Sequence, residues 1–255
     1  MKKKLPLSAI IITLNEEKNL SSLLPALEKQ TFHPSQIIVS DAGSKDGTVK
    51  IAKKYGCQIV TGGKPGRGRN NGAKAASWPY ILFLDADTLP GPVNEDKRFL
   101  ENLFFEAVEK NYDAATCDNL PRSNKLIYRA GYAMFNDFQR RVQNISPVAV
   151  GTCIFSTKYA FEKVNGFNEN MKFAEDSDYV LRLHKARFKF GVLEKPKILV
   201  SVRRFEEEGV FDLSERVLRY YLKRMILGDS VEKLKKIKIL EKLLDERYDF
   251  GKHKS

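Results

Sequence analysis

The chain has 255 residues, a length that suits one α/β domain with an appendage and is too short for two full domains. The formal net charge of +12 favours an anionic partner such as a nucleotide or an acidic membrane surface. Nucleic acid is not expected, because zinc-finger spacing, an RNA-binding signature and a continuous basic arm are all missing. The three cysteines are far apart, which argues against disulfides and a zinc site and favours the cytoplasm.

Short apolar runs alternate with helix-like segments in the first third of the chain. The apolar runs cover residues 8–14, 36–40, 58–61 and 80–84. The helix-like segments between them cover residues 16–29, 46–55 and 69–76. Runs that are apolar on both faces predict a mainly parallel sheet with helices on both sides. Ligands of such sheets bind beyond the carboxyl ends of the strands, so we expect the functional site there.

Two carboxylates one residue apart, Asp85 and Asp87, follow the fourth apolar run directly. Because side chains alternate along a strand, the two acids are expected on the same side, just past the strand end. Like charges this close repel, and a hard divalent cation such as Mn²⁺ or Mg²⁺ would remove that penalty and hold a diphosphate. The alternative is that the two acids only begin a turn.

Three further polar segments lie next to predicted strand ends. Residues 13–17 follow the first run, residues 41–48 follow the second, and residues 66–72 precede the fourth. Each segment taken alone has a simpler explanation, since Asp-Gly-Thr is common in turns and at helix starts, and the glycines near Arg69 can simply break a loop. Their joint occurrence at strand ends favours one shared site.

The middle of the chain, residues 98–147, looks mostly helical, with a strand expected at 148–156 and a helix at 176–186. An amphipathic aromatic segment lies within it, and we expect it either to pack in the core or to contact an acceptor or a membrane. Its apolar residues are Leu126, Ile127, Tyr128, Tyr132, Met134, Phe135 and Phe138.

Beyond Gly209 the sequence changes character, and two apolar stripes recur at helical spacing. We therefore divide the chain into a domain of residues 1–208 and a basic amphipathic helical extension of residues 209–255. The extension either docks on its own domain or lies on an anionic membrane surface. No apolar stretch approaches the ~20 residues that a membrane-spanning helix needs.

The order and spacing of these motifs resembles the family 2 glycosyltransferases, which have the nucleotide-binding GT-A fold, over residues 7–205. The segments ITLNEEKNL, IIVSDAGSKDGT, GRNNGAKAAS and ILFLDADT match successive signatures of that family. A fifth match, Gly166-Phe167 followed by residues 175–179, falls where the family has its acidic catalytic motif. The resemblance implies metal-assisted, inverting transfer from a nucleotide-sugar, usually a UDP-sugar, to a hydroxyl of a saccharide or lipid-linked acceptor in cell-envelope polysaccharide synthesis.

The same resemblance assigns roles to residues that bind the donor. Thr13, Asn15 and Glu16 would line the nucleotide site, and Asp41 would accept hydrogen bonds from the base. Arg69 would contact the nucleotide or its diphosphate, a task suited to a permanently charged guanidinium. Asp87 would bind Mn²⁺ or Mg²⁺, and Asp85 would bind the ribose or complete the metal shell.

Asp176 would be the general base that takes a proton from the acceptor hydroxyl. Glu175 and Asp178 either assist it or cap and solvate the helix that starts there. Arg203 and Arg204 either clamp the diphosphate from a mobile loop or are surface charges. Processive synthases of the family carry a Q-x-x-R-W motif, which residues 201–205 only echo, so a single addition is expected.

Two other functions remain open. A sugar-nucleotide pyrophosphorylase would carry a Gly-rich, Arg-containing loop directly after the first strand, where this chain has Thr-Leu-Asn-Glu-Glu. A non-catalytic carbohydrate-binding or scaffold protein built on a decayed transferase fold is expected to lose its acidic motifs first. All four acids of those motifs are present, namely Asp85, Asp87, Glu175 and Asp176.

Overall fold

The computed structural model describes residues 3–91, 97–171 and 173–209. The chain divides into two compact units, Met1–Ser201 and Val202–Ser255, and each is described by itself. Of the second unit, one helix is described, α8 (Arg203–Glu208). The predicted boundary after residue 208 stays a prediction, and the predicted stripes beyond Gly209 lie outside the described residues. Within those described ranges, no helix has both the length and the apolarity to cross a bilayer.

Parallel strands joined by helices form the first half of the first unit, as the sequence predicts. Its elements are β1 (Lys3–Thr13), α1 (Glu17–Glu28), β2 (Phe32–Asp41), α2 (Thr48–Lys54), β3 (Gln58–Thr61), α3 (Pro65–Lys74) and β4 (Tyr80–Asp85). The strands pair in parallel in the order β3-β2-β1-β4. Because parallel strands end at the same edge of a sheet, the segments after β1, β2 and β4 meet there.

The second half extends this sheet with strands of both directions. Its elements are β5 (Thr88–Pro90), α4 (Phe99–Glu109), β6 (Ala114–Pro121), α5 (Leu126–Val142), β7 (Cys153–Thr157), α6 (Lys158–Lys163), α7 (Glu175–Lys185) and β8 (Phe190–Val200). The order continues from β4 as β7-β6-β8-β5. Strand β7 is antiparallel to both β4 and β6, while β6 is parallel to β8. The α/β class is confirmed, and the sheet as a whole is mixed.

One expectation for the middle of the chain is incomplete and another is wrong. Most positions of residues 98–147 are helical, in α4 and α5, but the strand β6 lies between these helices and was not expected. Strand β6 contains small and polar residues in place of a β-branched run, so its strand conformation depends on pairing with β7 and β8. The predicted strand 148–156 begins only at Cys153, and residues 148–152 form a loop.

Both faces of the sheet are buried against apolar clusters. Leu82 and Leu84 of β4 pack in one cluster, while Ile81 and Phe83 pack in the other. This alternation places successive side chains of β4 on opposite faces, as expected for a strand without polar positions. The strand is therefore fixed from both sides, and so is the position of Asp85 at its end.

Helix α3 lies unusually close to β1 because of its glycines. A Cβ atom on Gly72 would lie 2.3 Å from Cγ2 of Ile10, and one on Gly68 would lie 3.2 Å from Cγ2 of Ile12. The glycines therefore do not break a loop; they belong to a helix that begins at Pro65, a residue favoured at the first helical position. This close packing brings the residues between Gly68 and Gly72, among them Arg69, to the edge of the sheet.

The amphipathic segment of α5 is only partly a core element. Tyr128, Asn136 and Gln139 are its buried residues, whereas Leu126 is 79% exposed and Met134 is 74% exposed. Of the two alternatives for this segment, core packing therefore applies to Tyr128 but not to Leu126 and Met134.

Candidate active site

The predicted site residues that lie at the ends of β1, β2 and β4 meet at one edge of the sheet. Thr13 and Asp41 are the last residues of β1 and β2 and lie opposite each other in the register. Asp85 is the last residue of β4 and lies opposite Ile12. The strand therefore includes Asp85, and Asp87 lies in the turn before β5.

Asp41 organises the loop that follows β2. One carboxylate oxygen, Oδ1, accepts hydrogen bonds from the hydroxyls of Thr13 (2.9 Å) and Ser44 (2.5 Å), and Oδ2 accepts from the N–H groups of Gly43 (3.0 Å) and Ser44 (2.9 Å). Burial raises the pKa of Asp41, but these hydrogen bonds outweigh it and hold the pKa below its ordinary value. Asp41 is therefore ionised at neutral pH and has donors on both oxygens.

The loops after β1 and β2 are joined by further hydrogen bonds. Asn15, in the left-handed conformation at φ 54°, donates its N–H to Ser44 Oγ (2.8 Å) and accepts from the N–H of Lys45 at Oδ1 (2.8 Å). The N–H of Glu16 donates to Oγ1 of Thr48 (2.8 Å). These two predicted nucleotide-site residues thus hold two loops in one arrangement.

An open cleft of about 410 Å³ lies beside Asp41, between the ends of β2 and β3. Its lining residues are Asp41, Ala42, Gly43, Ile59, Val60, Thr61 and Gly62. A Cβ atom on Gly62 would lie 2.7 to 2.8 Å from backbone atoms of residues 40–42, so only glycine fits there. Residues 59–62 are not among the predicted site residues, although the Gly-Gly pair directly after β3 indicates a close backbone approach.

Arg69 connects two acidic motifs inside the protein. Its guanidinium donates from Nη2 to Oδ1 of Asp85 (2.7 Å) and from Nη1 to Oε1 of Glu175 (2.6 Å). The Arg69 side chain is buried, and its Nε has no hydrogen-bond partner in the described part of the chain. Burial lowers the pKa of Arg69, but the carboxylates of Asp85, Glu175 and Asp176 raise it by more, so the guanidinium stays charged. Glu175 is thus an ion-pair partner and not a solvated helix-start acid.

Asp176, the predicted base, lies in the first turn of α7. Its Oδ2 accepts a hydrogen bond from the N–H of Gly151 (2.6 Å), and its Oδ1 accepts from the N–H of Ser177 (2.7 Å). Burial and the charge of Glu175 raise the pKa of Asp176 to about 7, although Arg69 and the two backbone donors act in the opposite direction. A general base is most effective when its pKa is near the operating pH.

Gly151 contacts the site from the loop between α5 and β7, and sequence analysis missed it. A Cβ atom on this residue would lie only 1.9 Å from Nη2 of Arg69. Its missing side chain therefore leaves room for the guanidinium, while its N–H group orients Asp176. No local pattern indicates this role, because residue 151 lies within the strand that the sequence predicts at residues 148–156.

Two other residues support the loop that precedes α7. Asn70 accepts from the N–H of Phe167 at Oδ1 (2.8 Å) and donates from Nδ2 to the carbonyl of the same residue (2.9 Å). Asp178 accepts from Nε of Arg182 (2.7 Å), and Arg182 also donates to the carbonyls of Val164 and Gly166. Asp178 is therefore neither a cap nor a solvated acid; it belongs to the ion pair that fixes this loop.

The acidic residues near the end of β4 suit a divalent cation that is held by one or two protein carboxylates together with phosphate and water. Within residues 3–91, 97–171 and 173–209, no three His, Cys, Asp or Glu side chains converge as a complete metal cage. Mg²⁺ and similar ions that bridge phosphates usually need only one or two carboxylates from the protein. Asp85 and Asp87 suit that arrangement, with the remaining ligands coming from a diphosphate and water.

Arg203 and Arg204 are the first two residues of α8 and are exposed. The expectation that they lie in a mobile loop is wrong, because they are helical. Since α8 belongs to the second unit, their suggested contact with a diphosphate stays a prediction.

Comparison with known proteins identifies a family and several relatives. The family model described as glycosyl transferase family 2 matches residues 8–165. Poly(ribitol-phosphate) beta-N-acetylglucosaminyltransferase TarS of Staphylococcus aureus is 23% identical over 96% of this chain and 44% of its own length. O-antigen chain rhamnosyltransferase WbaN of Salmonella anatum is 27% identical over 73% of this chain and 65% of its own length. The chain thus spans less than two thirds of both relatives.

Solved structures share the fold. S. aureus TarS 1-349 in complex with UDP-GlcNAc has a TM-score of 0.61 and 22% identity, covering 76% of this chain and 58% of that one. Mannosyltransferase PcManGT from Pyrobaculum calidifontis, in complex with GDP-Man and Mn²⁺, has a TM-score of 0.61 and 16% identity, covering 77% and 57%. At this level of identity the likeness shows the GT-A type fold.

Proposed function

The chain belongs to glycosyl transferase family 2, and from this premise we propose that it transfers one sugar from a nucleotide-diphosphate donor, a UDP-sugar, to a hydroxyl of a saccharide or lipid-linked acceptor. The observation that carries the proposal is the ion-paired arrangement of Asp85, Arg69 and Glu175 beside Asp176. This arrangement links Asp85, which suits a metal-bound diphosphate, to the start of α7, where Asp176 suits proton transfer. Family membership also favours a transferase over a pyrophosphorylase.

We place the base of the donor in the cleft beside Asp41. An ionised carboxylate has about four lone-pair positions, and four hydrogen bonds already reach Asp41. Its first role is therefore to shape the cleft wall, and a hydrogen bond to the base would have to replace or share one of these four. Gly62 keeps the opposite wall close to the backbone of β2.

We place the diphosphate at the end of β4, where Asp85 and Asp87 would hold Mn²⁺ or Mg²⁺. A bound ion would supply Lewis acidity that offsets the charge developing on the departing diphosphate. Arg69 positions Asp85 through its ion pair, and the Arg69 side chain is itself buried. Arg69 is thus a positioning residue, which differs from the direct nucleotide contact that the family resemblance implies.

Asp176 would take the proton from the acceptor hydroxyl as its oxygen attacks the anomeric carbon. The N–H groups of Gly151 and Ser177 hold the carboxylate in one orientation. Attack on the face opposite the diphosphate inverts the anomeric configuration. A base contributes only where it reaches the proton, so this fixed orientation is as important as the raised pKa.

The proposal is tested first by a screen of nucleotide-sugars. Thermal unfolding is measured with each donor, with and without Mn²⁺, since a ligand that binds only the folded state stabilises it. A concentration of ~100 Kd would add about 2.7 kcal/mol to the free energy of unfolding. Release of the nucleotide diphosphate is then followed with candidate glycan acceptors. The absence of both donor stabilisation and acceptor-dependent release with every donor would contradict the proposal. A cytoplasmic location and membrane contact by residues 209–255 stay predictions.

A further inference from the structure

Helix α5 and the residues just after it expose the most accessible large apolar side chains of the described chain. Leu126, Met134 and Ile145 are 79%, 74% and 77% exposed, and Ile127 is 49% exposed. They lie along the first half of α5 and just past its end. An apolar group of this kind on a soluble domain usually marks a binding surface.

The same region is basic. Arg122, Lys125 and Arg129 have exposed side chains, and no Asp or Glu occurs between Asp118 and Asp137. The two flanking acids are already engaged, Asp118 with Arg140 (2.7 Å) and Asp137 with Arg141 (2.6 Å). The surface formed by residues 122–134, which we call the α5 face, therefore combines apolar side chains with the exposed positive charges of Arg122 and Arg129.

We infer that the α5 face binds an anionic lipid bilayer. Apolar side chains flanked by Arg and Lys are typical of helices that lie in the headgroup region of a bilayer. There the apolar side chains contact the acyl chains, and the basic side chains are attracted to anionic lipids. A second copy of the chain fits less well, because an isologous contact would bring two sets of basic residues together without acids to pair them. A free saccharide fits less well too, because long aliphatic side chains give it no hydrogen bonds.

The placement of α5 relates this surface to the candidate active site. Strands β6 and β4 run in the same direction, because both are antiparallel to β7. The end of β6, just before the α5 face, is therefore at the same edge of the sheet as Asp85. At the other end of α5, Gln139 donates to the carbonyl of Val148 (3.1 Å), in the loop that contains Gly151. A bound bilayer would thus lie at the edge that carries the site.

This position points to a lipid-linked acceptor in preference to a soluble one. Only that consequence rests on the proposed function. Binding of the α5 face to lipid is a property of the surface itself and needs neither donor nor acceptor.

The test measures binding of the full chain to vesicles of phosphatidylcholine with and without phosphatidylglycerol. We expect binding to the anionic vesicles alone, weakened by salt because the charges are screened. Replacing Leu126 and Met134 together by Ser should lower binding at least roughly tenfold through lost apolar contact. Replacing Arg122 and Arg129 together by Gln should lower it about 25-fold, at about fivefold for each charge.

The matched control is Tyr159→Ser, which removes a side chain that is 62% exposed at the opposite edge of the sheet. It should bind vesicles like the wild type. Circular dichroism of each variant checks folding, and the two double variants test the apolar and the charged parts independently.

Three results would overturn the inference. The first is no binding of the wild type to anionic vesicles, and the second is unchanged binding of both double variants. The third is a wild-type dimer that the L126S/M134S variant converts to monomer while vesicle binding persists. Failure of sugar transfer would leave the vesicle result standing.

Discussion

Arg69 and Glu175 are 106 positions apart in the sequence, yet Nη1 of one donates a 2.6 Å hydrogen bond to Oε1 of the other inside the protein. The same guanidinium reaches Asp85 with its second terminal nitrogen. The end of β4 and the start of α7 are therefore held in fixed relation by one side chain. Changes at Arg69 should affect both the donor side and the base side of the site.

Arg69→Met should lower both stability and turnover. Removing one partner of a buried ion pair leaves the other charges uncompensated and typically costs about 3 to 5 kcal/mol. We expect the lower part of that range, because the Asp85 side chain is 28% exposed. Urea unfolding measures the loss. The triple variant R69M/D85N/E175Q removes the uncompensated charges and should regain part of the stability, and an R69M protein as stable as the wild type would contradict the ion-pair role.

Asp176→Asn should reduce turnover and spare donor binding. The amide keeps the size of the side chain but cannot accept a proton, and general-base catalysis is typically worth ~10²- to 10⁴-fold. Single-turnover rates and donor Kd measured on one preparation separate the two effects. Asp178→Asn is the matched control, since Asp178 is paired with Arg182 and its loss should appear in stability. Turnover within ~10-fold of wild type would exclude Asp176 as base, and a product with retained configuration would exclude inversion.

The rate should depend on pH through Asp176. Only the deprotonated carboxylate accepts a proton, so kcat/KM should rise about tenfold per pH unit up to the raised pKa of about 7 and then level off. The free energy of unfolding should show the opposite trend with pH. The folded state keeps a proton on Asp176 that the unfolded state releases near the ordinary aspartate pKa of 3.8. The contribution of this group to the free energy of unfolding therefore falls as pH rises from 3.8 to about 7. The D176N variant should lack both trends; a wild-type rate that is flat across this range would argue against Asp176.

Gly151→Ala should impair turnover although it adds one methyl group. The new Cβ would lie 1.9 Å from Nη2 of Arg69, so either the guanidinium or the loop must move, and the N–H donor to Asp176 moves with the loop. Steady-state kinetics measures the loss. Gly131→Ala is the control: it lies within α5 with nothing near its Cβ position and should stabilise the helix by about 0.5 to 1 kcal/mol. Normal turnover of G151A would show that the site tolerates this shift.

Asp87→Ala should abolish Mn²⁺-dependent donor binding while the fold is retained. The residue lies in the turn between β4 and β5, where its carboxylate adds little to the core. Calorimetry of donor and Mn²⁺ measures the effect. Asp85→Ala should weaken binding as well, with an added loss of stability because Arg69 loses a partner. Asp137→Ala, on the exposed face of α5, should bind donor and Mn²⁺ like the wild type, and D87A behaving in the same way would remove Asp87 from the metal site.

The predictable part of the site consists of residues at strand ends. Thr13, Asp41 and Asp85 follow apolar runs whose pattern predicts parallel strands, and parallel strands bring their ends together. Their location could therefore be derived from the sequence. Arg69 and Asp176 do not directly follow a strand, so their roles are predicted only by the family resemblance.

The unpredicted part depends on tertiary contacts. Strand β6 has no strong strand pattern and is extended because β7 and β8 lie beside it. Gly151 is defined by the space that Arg69 occupies, which no local pattern encodes. The sequence left open whether the glycines near Arg69 break a loop, since their packing against Ile10 and Ile12 appears only after the helix meets β1.

The antiparallel insertion of β7 next to β4 affects how the protein can be made or divided. A nascent chain that ends after β4 has the complete parallel half, but its β4 edge is unpaired and Arg69 lacks Glu175. Unpaired edges invite association with other chains, and contacts between distant residues form late in folding. A fragment of residues 1–91 that is expressed alone should thus aggregate, and the rest of the chain should have to be synthesised with it to prevent this.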